Sequence, residues 1–207
     1  MTAITADFIQ FGRRLFPLLH PTAADIDVAA GAEALARIAR FTGHTIGEPY
    51  SVAQHCVLVS CIVERLTANW RCAATRHRAV VWGMLHDWHE AVLGDISSPV
   101  KRLLRRDTDI IDRAATAIDI ALAGAVGMVW PLEAAVVAIV HQADMTALAT
   151  EKRDLLEDAP DWGYQLPAAL ETHIAPVSWQ MARQMWLQRY AALAITSPMV
   201  TRDAATA

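Results

Sequence analysis

A chain of 207 residues, 54% hydrophobic and 19% charged, has the apolar material for one buried core and is not expected to be disordered. A formal net charge of -4 and a pI near 6.0 exclude the overall basic footprint of a protein that grips nucleic acid through its phosphates. The start, MTAITADFIQFGRR, has no apolar stretch after a charged opening, so no secretory leader is expected, and the most apolar window, IALAGAVGMVWPL, is too short to span a bilayer.

In chain order, the first twenty or so residues, with Pro17 and Pro21, read as an irregular arm. Strand alternation is nearly absent. Apolar residues recur instead at three- and four-residue spacing, which predicts helices at about 24–40, 51–68, 74–91, 99–105, 107–125, 132–156 and 178–195. Ser51 followed by Gln54 has the form of a capping box, and Pro99 and Pro131 suit first helical turns. Loops are expected at 41–50, 94–99 and 158–167. Cys56, Cys61 and Cys72 form no CxxC pair and lie in or near apolar helical sequence, which reads as buried free thiols in a reducing, cytoplasmic compartment. The economical fold class is all-α, one domain over residues 1–207.

The titratable groups are concentrated where core is expected. MLHDWHEAVLGDISSPVK (84–101) places His86, Asp87, His89, Glu90 and Asp95 at the end of an apolar helical run. His55 sits one turn into the helix capped by Ser51, and Asp144 lies in AIVHQADMTALAT on the face of Val140 and Leu148. Burying such groups unpaired costs several kcal/mol or forces a large pKa shift, about 3–5 units at the extreme. Either other side chains or a divalent metal must satisfy them. Imidazole and carboxylate suit Mn²⁺, Co²⁺, Fe²⁺, Zn²⁺ or Mg²⁺, and helix bundles build such sites from facing helices.

The order His55, His86-Asp87, Asp144 resembles the motif of the HD superfamily of metal-dependent phosphohydrolases. The segments YSVAQH (50–55), MLHDWHEAVLGDISSPVK and QADMTALATEKRDLL (142–156) resemble their counterparts in bacterial 5′-deoxynucleotidases and in phage-type dATP triphosphohydrolases of that superfamily. The likeness covers residues 30–156 or so, with the helix near 178–195 beyond it. It implies an HD-type helical bundle with one divalent ion held by His55, His86, Asp87 and Asp144.

It implies catalytic roles for Glu90, in proton transfer or water orientation, and for Asp95, in positioning the water. Arg40 and Lys101 would hold phosphate oxygens. Phe41 would offer a stacking face to a base, and Gly43 a close backbone approach. Viral dATP hydrolases carry a larger apolar side chain at the position of Gly43, so this chain departs from that pattern. His89 and His141 are the histidines available for a second metal. The families it resembles do not require a histidine at position 89, and His141, one turn before Asp144, would stand behind the ligands, so one metal is expected. Trp88 either borders the pocket or packs the bundle. The activity implied is release of phosphate from a deoxynucleoside monophosphate. The alternatives are release of triphosphate from a dNTP, a dinuclear HD oxygenase, and a non-catalytic nucleotide- or metal-binding module. The expected partners are the nucleotide and further copies of the chain, with neither nucleic acid nor membrane.

Overall fold

In the computed structural model, which describes residues 7–193 and 195, the chain opens on a hairpin rather than an irregular arm. β1 (Phe8–Phe11) pairs antiparallel with β2 (Arg14–Pro17), Ile9 opposite Phe16. The turn has two residues, and Gly12 takes the left-handed φ of 58° that opens such turns at little cost. FIQF-GR-RLFP is too short to display alternation. The hairpin is held by Phe11 and Phe16, both buried and meeting edge to face at 5.6 Å. Residues 1–6 of the expected arm, position 194 of the expected last helix and residues 196–207 lie outside the described residues.

Beyond the hairpin the regular elements are helical: α1 (Val28–Arg37), α2 (Val52–Leu66), α3 (Ala73–Leu85), α4 (Glu90–Leu93), α5 (Ser98–Leu104), α6 (Ile110–Ala125), α7 (Ala134–Leu155) and α8 (Trp179–Ala192). Short 3-10 turns lie at Ala23–Asp25 and Arg40–Gly43. Among the described residues no helix is long and apolar enough to cross a membrane.

Local chemistry explains most of the helix ends. Asp27 caps α1, its carboxylate accepting the amides of Ala29 and Ala30 at 3.0 Å each. Ser51 caps α2 by accepting the Gln54 amide at 3.2 Å, but the Gln54 side chain does not complete the expected box. It donates to the Ala175 carbonyl (3.1 Å) and accepts the Val177 amide (2.9 Å), pinning the stretch before α8 onto α2. Pro99 falls in the first turn of α5 as expected. Pro131 instead precedes α7, whose first helical residue is Ala134.

The core forms where α2, α3 and α7 pack on one another, and α8 closes it against α1 and α2. Ala182 and Trp186 are the fully buried contacts of α8. Gly31 on α1 leaves room for Trp88, since a Cβ there would come 2.5 Å from the indole Nε1. Trp88 has no exposed surface and meets Phe11 edge to face, so it packs the bundle. Cys56 is buried as expected, Cys61 is partly buried and Cys72 is exposed at the head of α3, the polar end of that helix.

The stretch between α7 and α8 has almost no regular structure and depends on single side chains. Asp154, near the end of α7, accepts the Ile174 amide (2.9 Å), His173 Nδ1 (2.7 Å) and the Arg153 guanidinium (2.7 and 2.8 Å). Arg153, chiefly, holds this carboxyl down at about 2, below its ordinary 3.8. The folded state therefore keeps the group charged where the unfolded chain has begun to protonate it. Its contribution is complete above about pH 4 and is lost as the pH falls through about 2. Asp154→Asn should cost about 1–2 kcal/mol and lower the melting temperature by about 3–6 °C at neutral pH, with less effect at pH 2. Thermal melts at both pH values check this.

Candidate functional site

α2 carries His55 one turn past its cap, with no exposed surface. α7 buries a stripe at Val136, Val140, Ala143, Ala147 and Glu151, with Asp144 beside it. The expected helix 74–91 breaks in the middle: α3 ends at Leu85, and residues 86–89 form a tight turn before α4. There the amides of Trp88, Glu90 and Ala91 bond three residues back, to Leu85, Asp87 and Trp88. His86 Nδ1 donates to the Gly83 carbonyl (3.1 Å), the acceptor that a continued helix would offer to the Asp87 amide.

The break brings four of the expected residues together. His55 Nε2 lies 3.2 Å from Asp144 Oδ1 and 3.4 Å from Asp87 Oδ2. His86 Nε2 lies 3.3 Å from Asp87 Oδ2 and 4.0 Å from Asp144 Oδ1. Despite this proximity, both Nε2 atoms are buried and lack a hydrogen-bond partner. The ligand atoms of His55, His86 and Asp144 fall within 4.8 Å of one another. Orphaned ring nitrogens converging with two carboxylates are the donor set of a borderline divalent ion. This group could hold one.

The surrounding charges divide by location. Burial opposes ionisation of Asp87, but His86 and His55 outweigh it and keep the carboxyl well below its usual range. Asp144 is lowered against burial by His55 and His86. Burial and Arg40 work against a proton on His55, yet Glu151, Asp144 and Asp87 raise it well above the ordinary value. His86 is raised against burial by Asp87 and Asp144. Glu90, at the head of α4 and 3% exposed, goes the other way. Burial, then Asp87 and Asp95, push it up to about 8. Its Oε1 faces Lys101 Nζ at 3.5 Å, and Oε2 has no partner. Asp95, in the loop after α4, is also raised by burial, with Arg40 and Lys101 drawing it partly back.

Arg40 joins this site from the 3-10 turn. Nε and Nη2 donate to Glu151 Oε2 (3.1 and 3.0 Å), and Nη1 lies 3.7 Å from Asp87 Oδ2. Phe41 and Thr42 both take φ of 55°, left-handed values that cost non-glycine residues about 1–3 kcal/mol each. The Phe41 ring centre is 5.5 Å from the Arg40 guanidinium. Gly43, at φ 79°, is exposed, with nothing within 4 Å of an added Cβ. Glycine serves the turn there through its backbone freedom, not through a close approach.

The sequence reading misses two acids. Glu151 accepts from Arg40 and contacts His55 Nδ1 at 2.6 Å. Asp119 of α6 lies 3.1 Å from His89 Nδ1, and His89 also brings a ligand atom within 4.8 Å of those of Asp87 and Glu90, a second group that could hold a cation. Extending the buried stripe of α7 one turn past Ala147 would have found Glu151. His141 is exposed on α7 and belongs to neither group of possible metal ligands among the described residues. Lys101 also lines a cavity of about 400 Å³ with His89, Arg105 and Asp119, and none of the four candidate ligands borders it.

A raised pKa in His55, His86 or Glu90 means that the fold binds a proton the unfolded chain releases. The metal-free protein is thus expected to lose stability as pH rises from about 4.5 through about 8 on account of Glu90, and above about 6.5 on account of His55 and His86. A divalent ion replaces the protons on His55 and His86. Co²⁺ or Mn²⁺ at about 100 times its Kd should stabilise by about 2.7 kcal/mol, a melting shift of about 5–10 °C, larger near pH 8 than near pH 6. His86→Ala should remove the shift. Melting curves that none of these ions moves would refute the metal site.

No family model matches the chain. It is 39% identical over 113 residues, 52% of its length, to an uncharacterized protein of Rhodobacter capsulatus, and spans about half of that relative, 53%. It is 32% identical over 169 residues to the uncharacterized protein YfdR of Escherichia coli, a match covering 80% of the chain and 83% of YfdR. The chain belongs to the same family as YfdR.

Proposed function

We propose that this chain is an HD-type metal-dependent phosphohydrolase acting at the 5′-phosphate of deoxynucleotides, with a nucleoside monophosphate as the favoured substrate. The observation that carries the reading is the juxtaposition of two opposite carboxyl states. Asp87 and Asp144 are ionised beside two orphaned imidazole nitrogens, while Glu90, the neighbour of Asp87, holds a proton to about pH 8. A site that only bound a metal or a nucleotide would have no use for that proton.

A divalent ion bound by His55, His86, Asp87 and Asp144 would supply Lewis acidity to a phosphate oxygen and lower the pKa of a water. Arg40, through Nη1, and Lys101, through Nζ, would bind the remaining phosphoryl oxygens and spread their developing charge. Glu90 carries its proton on Oε2, the oxygen not facing Lys101, and would deliver it to the departing 5′-oxygen. Asp95 would orient the attacking water. Phe41, on the turn that carries Arg40, would face the nucleoside. Attack at the phosphorus next to C5′ serves monophosphates and triphosphates alike, so product analysis separates them.

Protein stripped of metal and reloaded with Mn²⁺, Co²⁺, Zn²⁺ or Mg²⁺ is expected to release orthophosphate from dNMPs. Asp87→Ala should abolish release, and Glu90→Gln should lower kcat by about 100-fold or more. Intact triphosphate from dNTPs would make the chain a triphosphohydrolase, and Fe-dependent oxygen uptake an oxygenase. Absence of all three would reduce it to a binding module.

A further inference from the structure

We propose that Glu151 is a positioning residue of this site: one buried carboxylate that orients His55 with one oxygen and Arg40 with the other. The inference rests on the metal-centre reading and adds to it. Glu151 has no exposed surface. Its Oε1 lies 2.6 Å from His55 Nδ1, and its Oε2 takes the Nε and Nη2 of Arg40 at 3.1 and 3.0 Å. A carboxylate so placed accepts, so His55 Nδ1 carries a hydrogen, and once a metal displaces the proton on Nε2 the lone pair of that nitrogen is directed towards Asp87 and Asp144. A histidine ligand needs that tautomer and that ring orientation.

The same carboxylate occupies two of the three nitrogens of the Arg40 fork and leaves Nη1 as the donor nearest Asp87. Arg40 stands on a turn whose next two residues have left-handed backbones, and Glu151 fixes the side chain that this turn presents. Glu151 lies seven residues, about 10 Å of helix rise, beyond Asp144. One rigid element therefore supplies both a ligand and the support for another ligand.

The alternative is a plain buried ion pair joining α7 to the 40–43 turn, and metal binding separates the two. In Glu151→Gln the affinity for Co²⁺, measured by equilibrium titration, should fall about 10–100-fold. In Arg40→Met, which removes the ion pair and the 3.7 Å contact with Asp87 but leaves Glu151 on His55 Nδ1, it should fall clearly less than in Glu151→Gln. Proton NMR of the cobalt-loaded protein gives a second readout, from the paramagnetically shifted imidazole N–H protons of His55 and His86. The His55 proton should lose its protection from solvent exchange in Glu151→Gln, while that of His86, held by the Gly83 carbonyl, should keep it.

Should Glu151→Gln fail to fold, the double variant R40M/E151Q leaves neither partner of the Arg40–Glu151 pair as an unpaired buried charge and should show the same affinity loss. Wild-type affinity in either Glu151 variant, or equal losses in Glu151→Gln and Arg40→Met, would overturn the proposal alone. No cobalt binding by the wild type would overturn the metal reading and this proposal with it.

Discussion

Five carboxylates, those of Asp87, Glu90, Asp95, Asp144 and Glu151, share one part of this molecule with two permanent cations, Arg40 and Lys101. Two of the acids, Glu90 and Glu151, are almost wholly inside. No bundle can bury that much like charge against apolar helices without a proton or a cation for each excess negative charge. Much of the arrangement around the site results from meeting this constraint. Arg40 reaches Glu151 and Asp87, the imidazoles of His55 and His86 sit between Asp87 and Asp144, and Lys101 faces Glu90. Where cations outweigh burial the carboxyls ionise. At Glu90, where burial and other acids dominate, the proton stays on to about pH 8. The balance of burial and neighbouring acids against all nearby cations, not residue type, assigns the acids their different chemistry. Glu90 is raised although Lys101 stands 3.5 Å away, while the imidazoles outweigh burial at Asp87 and Asp144.

The scaffold behind this is ordinary helix packing applied at one unusual turn. Residues 86–89 send four consecutive side chains to three places. His86 and Asp87 go to the cluster, Trp88 to the pocket under Gly31 and against Phe11, and His89 to Asp119 on α6. The N-terminal hairpin therefore matters to the site, because Phe11 backs the indole that anchors the turn. α8 matters in the same indirect way. Gln54, the neighbour of His55, holds the segment leading into that helix.

Much of this is readable in the chain. Helical periodicity is strong, and His55, His86, Asp87 and Asp144 stand out because each is ionisable at a position whose neighbours are apolar. Glu151 escapes the same reading because it opens the charged run EKRDLLED, where an acid looks like a solvated helix end. Asp119, near the middle of α6, escapes for want of a visible partner. The break at His86 is hidden because apolar residues continue through Val92 in helical spacing. A side chain, the imidazole on the Gly83 carbonyl, accompanies that break, and spacing does not record it. The hairpin escapes because four-residue strands carry too few alternations to count.

By itself, then, the sequence determined the helical class, the capped start of α2, the donor types and the order in which they come along the chain. These depend on propensity and periodicity, which act over a few neighbouring residues. Only the tertiary structure decided which acids are charged, which face each ring presents and which carboxylate supports which ligand. Those properties depend on approaches of about 3–6 Å between residues far apart in the chain, as with Arg40 and Glu151, 111 positions from each other. Such pairs acquire their pKa values and orientations only when packing brings them together.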